Sequence, residues 1–271
     1  MGKYLIVDMV WEINFPQGFN DEKFNCFKID EQNEAKETIN FEFIDKIDKL
    51  NIENYEENGL KMYYQDGIKL FDIKEKDNVI VRGKYLNNTS TFQIINTFDD
   101  SNKLIEILSF MRLAELSANN GVITLLASAV TMGEKAVIVV DENSKTFVNM
   151  WLNEIEDTSL ISEDKLFVKI DKNIVKVYNN PWSKQTNINK SISIPLNAVL
   201  FVSKGKENDF IEQTDTQTLL SLAMNLGIMT DNLSNEALMQ FCLDLLDRVN
   251  ILKYRGKFNN VRKIFNKIYF S

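Results

Sequence analysis

The sequence predicts an α/β (α+β) protein in which a mixed central sheet with flanking helices follows an N-terminal, mostly β subdomain. Three observations support this fold class. Residues 1–100 alternate short apolar, β-branched and aromatic runs with polar breaks, which is typical of strands. Residues 102–118 carry apolar side chains at helical spacing. Later residues alternate apolar runs with helical segments, as in a sheet buried on both faces. We therefore expect two domains, residues 1–100 and 101–271.

The N-terminal subdomain is predicted as an antiparallel sheet, because its candidate strands are short and closely spaced. The first fifteen residues indicate one strand. The candidate strands are KYLIVDM, EKFNCFKI, ETINFEFI, LKMYYQ, GIKLFDI, NVIVRGKY and STFQIINTF. A turn signal separates two of them at Gln65-Asp66-Gly67.

The second domain is predicted to begin with a helix over 102–118, capped by Asp99, Asp100 or Ser101 and followed by Gly121. Two buried strands, 122–132 and 135–140, are joined at Met132-Gly133-Glu134. The remaining predicted elements are a helix at 145–153, the strands LFVKI, IVKVY and NAVLFVS, helices near 214–227 and 234–248, a strand at 249–254 and a terminal helix at 257–269.

Composition excludes several classes of function. The 271 residues include 31 Lys and Arg, 39 Asp and Glu and no histidine, for a net charge of −8. Without imidazole there is no Ser-His-Asp or Cys-His triad and no histidine-ligated zinc. The acidic balance disfavours a nucleic-acid partner. No segment reaches about 18 uncharged apolar residues, so no membrane span is expected.

The cysteines and the C-terminal charges add two expectations. Cys26 and Cys242 are far apart in sequence and indicate a reduced, cytoplasmic protein. From Arg248 to the C-terminus the chain contains basic residues and no acid. These residues form a solvated terminal helix or a docking surface for an acidic peptide or partner. The basic residues are Arg248, Lys253, Arg255, Lys257, Arg262, Lys263 and Lys267.

Several segments of the second half follow one another in a recognisable order. They are FMRLAELSANNGVITLLASAV, EKAVIVV, SKT, LISEDKLFV, VYNNPWSK, PLNAVLFVSKGKEN and VNILKYRGKFNNVRKI. Over about residues 105–270 this order resembles the kinase fold shared by HPr kinase/phosphorylase and the carboxykinases. It is most similar to the short HPr-kinase-related proteins of peptide-modification clusters, such as the lasso-peptide kinases. The resemblance implies an ATP- and magnesium-dependent kinase acting on a serine or similar hydroxyl.

The resemblance also implies roles for individual residues. Ser144, Lys145 and Thr146 match the end of the phosphate loop and would bind the nucleotide. Glu163 and Asp164 match the catalytic acids and are expected at the end of the strand next to 135–140. Thr146 and Asp164 would hold the metal. In the VYNNPWSK segment, Trp182 and Lys184 would lie on the substrate or partner side; a packing role for Trp182 stays open.

The phosphate loop itself departs from the family pattern. A P-loop needs glycines, because its backbone N–H groups curl closely around the phosphates. No glycine lies between Glu134 and Asn179, and the loop is about two residues shorter than the motif. Asp141 and Glu142 add negative charge, and two like charges about 4 Å apart repel by roughly 4 kcal/mol at a dielectric of about 20. Leu126 replaces the family's histidine.

Three hypotheses follow. The first is a degenerate kinase-fold protein that binds or scaffolds a peptide or protein partner, as a monomer or a homo-oligomer. The second is an active, divergent kinase that uses Lys145, Thr146, Glu163 and Asp164 with magnesium and ATP. The third is an unrelated interaction protein, in which Asp141, Asn143 or Ser144 only caps a helix.

Overall fold

The computed structural model describes residues 2–30, 32–50, 53–57, 60–76, 78–96, 100–141, 143–184, 186, 188, 190–206, 208–211, 214–225, 235–258 and 261–269. The chain divides into two compact units, Met1–Leu113 and Ala114–Ser271. This division falls inside helix α1 (Ser101–Ala118), whereas the predicted boundary after residue 100 falls just before that helix.

The described part of the N-terminal unit contains an eight-stranded sheet in the order β1-β2-β3-β8-β7-β6-β5-β4. The strands are β1 (Gly2–Ile6), β2 (Met9–Asn14), β3 (Glu37–Ile44), β4 (Asn54–Glu57), β5 (Leu60–Gln65), β6 (Ile68–Glu75), β7 (Asn78–Leu86) and β8 (Thr89–Ile95). The mostly β character of this unit is evident from these strands.

The antiparallel prediction is wrong at the centre of this sheet. β2 pairs with β3, and β3 pairs with β8, in parallel. Parallel neighbours need long crossover connections. A long segment separates β2 from β3, and the whole β4–β7 meander separates β3 from β8. Strand patterns in the sequence do not reveal which distant strands become neighbours.

Two further expectations for this unit are corrected. Residues 2–14 form a hairpin rather than the single strand expected of the first fifteen residues, because Val7 and Asp8 adopt φ of 56° and 58° between β1 and β2, as two-residue hairpin turns require. The segment EKFNCFKI contains a 3-10 helix, Glu22–Phe27. Its buried Phe24 and Phe27 are three residues apart, which matches the 3-10 repeat.

The turn predicted at Gln65-Asp66-Gly67 is confirmed. Asp66 and Gly67 have φ of 52° and 79° and connect β5 to β6, which pair antiparallel. Positive φ at both central residues is the type I′ pattern.

Buried ion pairs hold the N-terminal unit together. Arg82 donates Nε and Nη2 to the two carboxylate oxygens of Asp72, at 2.7 and 2.9 Å. Glu37 Oε1 accepts from Arg112 Nη2 at 3.0 Å and from the Ser90 hydroxyl at 2.5 Å. Since an unpaired buried charge is costly, the first pair ties β6 to β7, and Glu37 ties β3 to β8 and to the first part of α1.

The described part of the C-terminal unit contains a nine-stranded sheet with the path β12-β10-β11-β15-β14-β13-β9, with β17 beside β15 and β16 beside β17. The strands are β9 (Val122–Leu125), β10 (Ser128–Met132), β11 (Lys135–Val140), β12 (Leu160–Ser162), β13 (Leu166–Asp171), β14 (Ile174–Tyr178), β15 (Ser193–Lys204), β16 (Asp209–Ile211) and β17 (Asn250–Gly256). The helices are α2 (Ser144–Glu154), α3 (Asp215–Met224), α4 (Asn235–Arg248) and α5 (Val261–Tyr269).

The predicted strand 122–132 is two strands. β9 pairs with β13, whereas β10 pairs with β11 and β12. The break lies at Leu126 and Ala127, and Leu126 is 50% exposed. A continuous apolar run has no periodic marker of such a break, so the sequence could not place it.

Helices cover two faces of this sheet, which confirms the predicted mixed α/β class. One core packs α3 and α4 against Ile138, Val140 and Phe201. The other packs α2 and α5 against Val137 and Val139. Because neighbouring residues of β11 point to opposite faces and its residues 136–140 are all buried, this strand reads as a continuous apolar run.

Candidate functional site

The candidate site lies at one edge of the C-terminal sheet. β10 runs antiparallel to both β11 and β12, so β11 and β12 point the same way. Their carboxyl ends and the start of β10 therefore meet at one edge. Glu163 and Asp164 follow β12 there, and α2 follows β11. The acids were expected at the end of the strand next to β11, and this is wrong, because β10 lies between β11 and β12. Since β10 is antiparallel to both strands, the carboxyl ends of β11 and β12 still lie at the same edge of the sheet.

A buried serine links the two elements. Ser128 Oγ, at the start of β10, lies 2.6 Å from the Glu163 carbonyl oxygen and 3.3 Å from Ser144 Oγ. The shorter distance assigns the Ser128 proton to the carbonyl, so Ser144 donates to Ser128. Ser128 is fully buried and Ser144 is 9% exposed. The predicted nucleotide-binding Ser144 is thus tied to the backbone that carries the acids.

Two of the predicted site residues, Lys145 and Glu163, form an ion pair next to these serines. Lys145 Nζ lies 3.4 Å from Glu163 Oε1, with side chains 45% and 22% exposed. A pair this open to solvent contributes up to about 1 kcal/mol. Its main consequence is electrostatic: the Glu163 carboxylate neutralises the positive charge of Lys145.

The second acid contacts the VYNNPWSK segment. Asp164 Oδ1 accepts from the backbone N–H of Lys184 at 3.1 Å. The neighbouring Glu163 N–H donates to Ser183 Oγ at 3.1 Å. Asn180 Nδ2 donates to the Lys165 carbonyl at 2.8 Å. Three successive residues after β12 are therefore fastened to the segment that follows β14.

Trp182 anchors this segment rather than presenting its ring. The residue is 3% exposed, and its ring meets Phe167 edge to face with centroids 6.5 Å apart. Its backbone N–H donates to Asn180 Oδ1 at 3.0 Å, which closes an Asx turn. Lys184 is exposed beside it. Of the two residues predicted on the partner side, Lys184 is accessible, and Trp182 can act only by positioning the chain.

The metal role predicted for Thr146 and Asp164 has less support in the geometry. Thr146 is exposed in the first turn of α2, while Asp164 is occupied with the Lys184 backbone. Within the described residues, no group of three or more Asp, Glu or Cys side chains is placed to hold a metal ion. The metal assignment stays a prediction from the resemblance.

The connection between β11 and α2 is very short. Three residues separate Val140 from Ser144. Asp141 has φ of 102°, and its carbonyl accepts from Ser144 N at 3.0 Å. Asn143 occupies the N-cap position, but its side chain makes no capping hydrogen bond. The capping role suggested for Asn143 is therefore not realised.

Sequence reasoning missed Ser128, Asn180 and Ser183, which organise this edge. Each is a single polar residue that the structure buries. A buried hydroxyl or amide must find a partner, so Ser128 within the apolar run LLASAV was a usable signal. For Asn180 and Ser183 the surrounding loop sequence gives none.

Comparisons with known proteins assign no family to this chain. No protein-family model matches it, and no curated protein matches it. The solved structure of the HPr(Ser) kinase/phosphatase from Coxiella burnetii aligns with 54% of this chain and 93% of its own, at 8% identity and a TM-score of 0.30. A similarity at that TM-score supports no statement about fold or function, and the α/β class rests on the strand order above.

One further observation concerns membranes. Among the residues that the structure describes, no helix is long and apolar enough to cross a bilayer.

Proposed function

We propose that the C-terminal unit is a domain of the HPr kinase and carboxykinase type whose phosphate loop is degenerate, and that it serves as a non-catalytic binding or scaffolding component for a peptide or protein. The observation that carries the proposal is the three-residue connection between β11 and α2. The peptide-modification setting comes from the motif order described above.

This connection is too short for a phosphate cradle. A P-loop places several successive backbone N–H groups around the phosphates and uses glycines where the backbone approaches closely. Here only Asp141 to Asn143 lie between strand and helix. Asp141 adopts a backbone conformation that glycine prefers, and its carboxylate would repel a phosphate.

The polar groups at the edge also satisfy one another. Lys145 pairs with Glu163, Ser144 lies against Ser128, and Asp164 accepts from Lys184 N. A nucleotide would have to displace the Lys145 pair before the lysine could meet a phosphate. These contacts support a structural use of residues that a kinase would reserve for ATP and magnesium.

Titration of the full chain with ATP and magnesium in a calorimeter tests the loss of nucleotide binding. We expect no binding and no rise in melting temperature, whereas a functional site filled at 100 times its Kd would add about 2.7 kcal/mol. Lys145→Ala and the matched control Lys172→Ala, in the exposed β13–β14 turn, should behave like wild type. Magnesium-dependent, micromolar ATP binding that only Lys145→Ala abolishes would overturn the proposal.

The binding role needs its own measurement. We expect the full chain to form a stoichiometric complex, resolved by size-exclusion chromatography, with a peptide or protein encoded beside it. If every peptide and protein encoded by the neighbouring genes elutes separately from this chain, the scaffolding role is wrong, even if the chain does not bind nucleotide.

A second candidate is an active, divergent serine kinase. It is favoured by one observation, that Lys145 Nζ and Oε1 of the predicted catalytic acid Glu163 lie 3.4 Å apart although the two residues are 18 positions apart in the chain. In that case ATP and magnesium would support phosphorylation of a neighbouring peptide, and Lys145→Ala and Asp164→Asn would remove it. Unchanged phosphorylation in those two variants would exclude this mechanism.

A further inference from the structure

A second concave surface lies on the opposite side of the C-terminal sheet from α2. It is a cavity of about 570 Å³ between α3 and the strands β15 and β17. Its polar lining includes Ser203, Gln217, Ser221, Lys253 and Arg255, and Leu220 lies at the same wall. None of these residues belongs to the candidate site described above.

Strand geometry explains why two cations face this cavity. β15 and β17 pair in parallel, with Ser203 opposite Arg255. Side chains alternate along a strand, so Lys253 and Arg255 share one face and are about 6.6 Å apart along it. The intervening Tyr254 packs into the core on the other face. Two positive charges are thus presented side by side to the α3 face.

The cations around this cavity outnumber the nearby acids. In the described part of the chain, no carboxylate lines the cavity, and neither Lys253 nor Arg255 has an acidic partner within 4.0 Å. Asp209 stands opposite Arg255 in the β16–β17 pairing, whereas Ile211 stands opposite Lys253. Asp209 and Asp215 line an adjoining cavity together with Lys253 and Lys267. The described linings of the two cavities therefore carry three cations and two acids, which leaves a local positive charge in a chain whose overall charge is −8.

The α3 wall adds a donor and an apolar surface. Gln217 uses its side-chain oxygen to accept from Thr214 N in a capping box, so its amide nitrogen is left as a donor. Leu220 and Met224 are four residues apart on α3 and are 63% and 77% exposed. Residues at that spacing lie on the same helix face. The cavity therefore combines two cations, an amide donor and an adjoining apolar strip.

We propose that this cavity binds an acidic peptide segment, with two carboxylates on Lys253 and Arg255 and an apolar side chain on Leu220 and Met224. Charge complementarity selects this occupant: the cations are fixed on a strand, and the acid-free stretch from Arg248 onward supplies a positive field that attracts an acidic chain. The proposal names a partner class and a surface, and it holds whether or not the α2 edge binds ATP.

Fluorescence anisotropy of the full chain with fluorescein-labelled Glu-Glu-Leu-Glu-Glu-Leu tests the site. Removing either cation should weaken binding about tenfold, which corresponds to about 1.4 kcal/mol, so we expect this loss in Lys253→Ala and in Arg255→Ala. The matched controls Arg262→Ala and Lys263→Ala change exposed cations of α5 outside the cavity and should stay within about twofold of wild type. Melting temperatures measured for all variants show whether they are folded.

Three outcomes would overturn the proposal. They are equal weakening by the α5 variants, equal binding of the peptide with Gln in place of Glu, and absence of peptide binding, including the case where inorganic phosphate alone binds. Failure of this proposal is distinguishable from failure of the proposed function. The calorimetric titration measures ATP binding at the α2 edge, whereas the anisotropy titration measures peptide binding at the α3 face.

Discussion

Asp141 is the residue at which the β11–α2 connection departs furthest from ordinary backbone. Its φ of 102° lies where a Cβ is strained and glycine is not. We predict that Asp141→Gly raises the free energy of unfolding by about 1 kcal/mol. Urea unfolding followed by circular dichroism measures the change.

Asp157 provides the matched control for this substitution. It also has a positive φ, but at 56°, in the left-handed region that aspartate tolerates. Asp157→Gly should therefore raise the free energy of unfolding by less than Asp141→Gly does. If both substitutions raise the free energy of unfolding equally, or if Asp141→Gly lowers it, the backbone of Asp141 is not strained.

Tyr4 gives the N-terminal unit a predicted pH dependence. Burial, followed by the nearby Asp21 carboxylate, raises the pKa of Tyr4 from 10.0 to about 12. The unfolded chain then loses this proton at lower pH than the folded chain, so the stability from neutral Tyr4 is complete below pH 10 and falls as pH rises from 10 to about 12.

Urea midpoints of wild type and Tyr4→Phe between pH 8 and about pH 11 test this dependence. We expect the wild type to lose stability more steeply than Tyr4→Phe above pH 10, because phenylalanine has no proton to release. Parallel profiles for the two proteins would contradict the assignment to Tyr4.

At the scale of elements, the β6–β7 pair depends on a glycine under an aromatic ring. Gly83 stands opposite Phe71, and a Cβ at Gly83 would overlap the Phe71 ring. The ring is held in place by Tyr85 and Phe92, at centroid distances of 5.5 and 6.1 Å. The ring covers the glycine and cannot move aside without disturbing its aromatic neighbours.

We predict that Gly83→Ala lowers the free energy of unfolding by about 1–3 kcal/mol, as overpacking does. Adding Phe71→Leu should recover part of that loss, since the smaller side chain leaves space for the new methyl group. Lys84→Ala, on the next position of β7, is the control and should have a small effect. If the double variant is no more stable than Gly83→Ala, the clash is not with the Phe71 ring.

At the scale of the whole molecule, α1 decides where the C-terminal unit can be separated. The compact units divide after Leu113, but a cut there leaves only Ala114–Ala118 of the helix, too few residues to persist as a helix. Ala114, Ser117 and Ala118 are buried. We expect fragment 101–271 to unfold cooperatively and fragment 114–271 to melt at a lower temperature.

Differential scanning calorimetry of the two fragments measures this difference. The full chain serves as the reference for the transition of the C-terminal unit. Equal melting temperatures would mean that the first part of α1 adds nothing to this unit, and failure of fragment 101–271 to unfold cooperatively would mean that the unit does not fold alone.

Local sequence patterns are sufficient to predict several secondary-structure elements and the residues that meet at the candidate site. β3, β5, β11 and α1 were predictable because their side-chain periodicity and turn residues act over a few positions. Ser144, Lys145, Glu163 and Asp164 were singled out from motif order, and the structure places them at one sheet edge.

The pairing of distant strands and the partners of buried polar groups depend instead on tertiary packing. The parallel placement of β3 beside β2 and β8, the split of 122–132 into β9 and β10, and the 3-10 helix at Glu22–Phe27 all depend on packing. The partnership of Ser128 with Glu163 joins residues 35 positions apart. Such contacts form because folding buries polar groups and must satisfy them, and no local pattern in the sequence specifies which partner lies nearby.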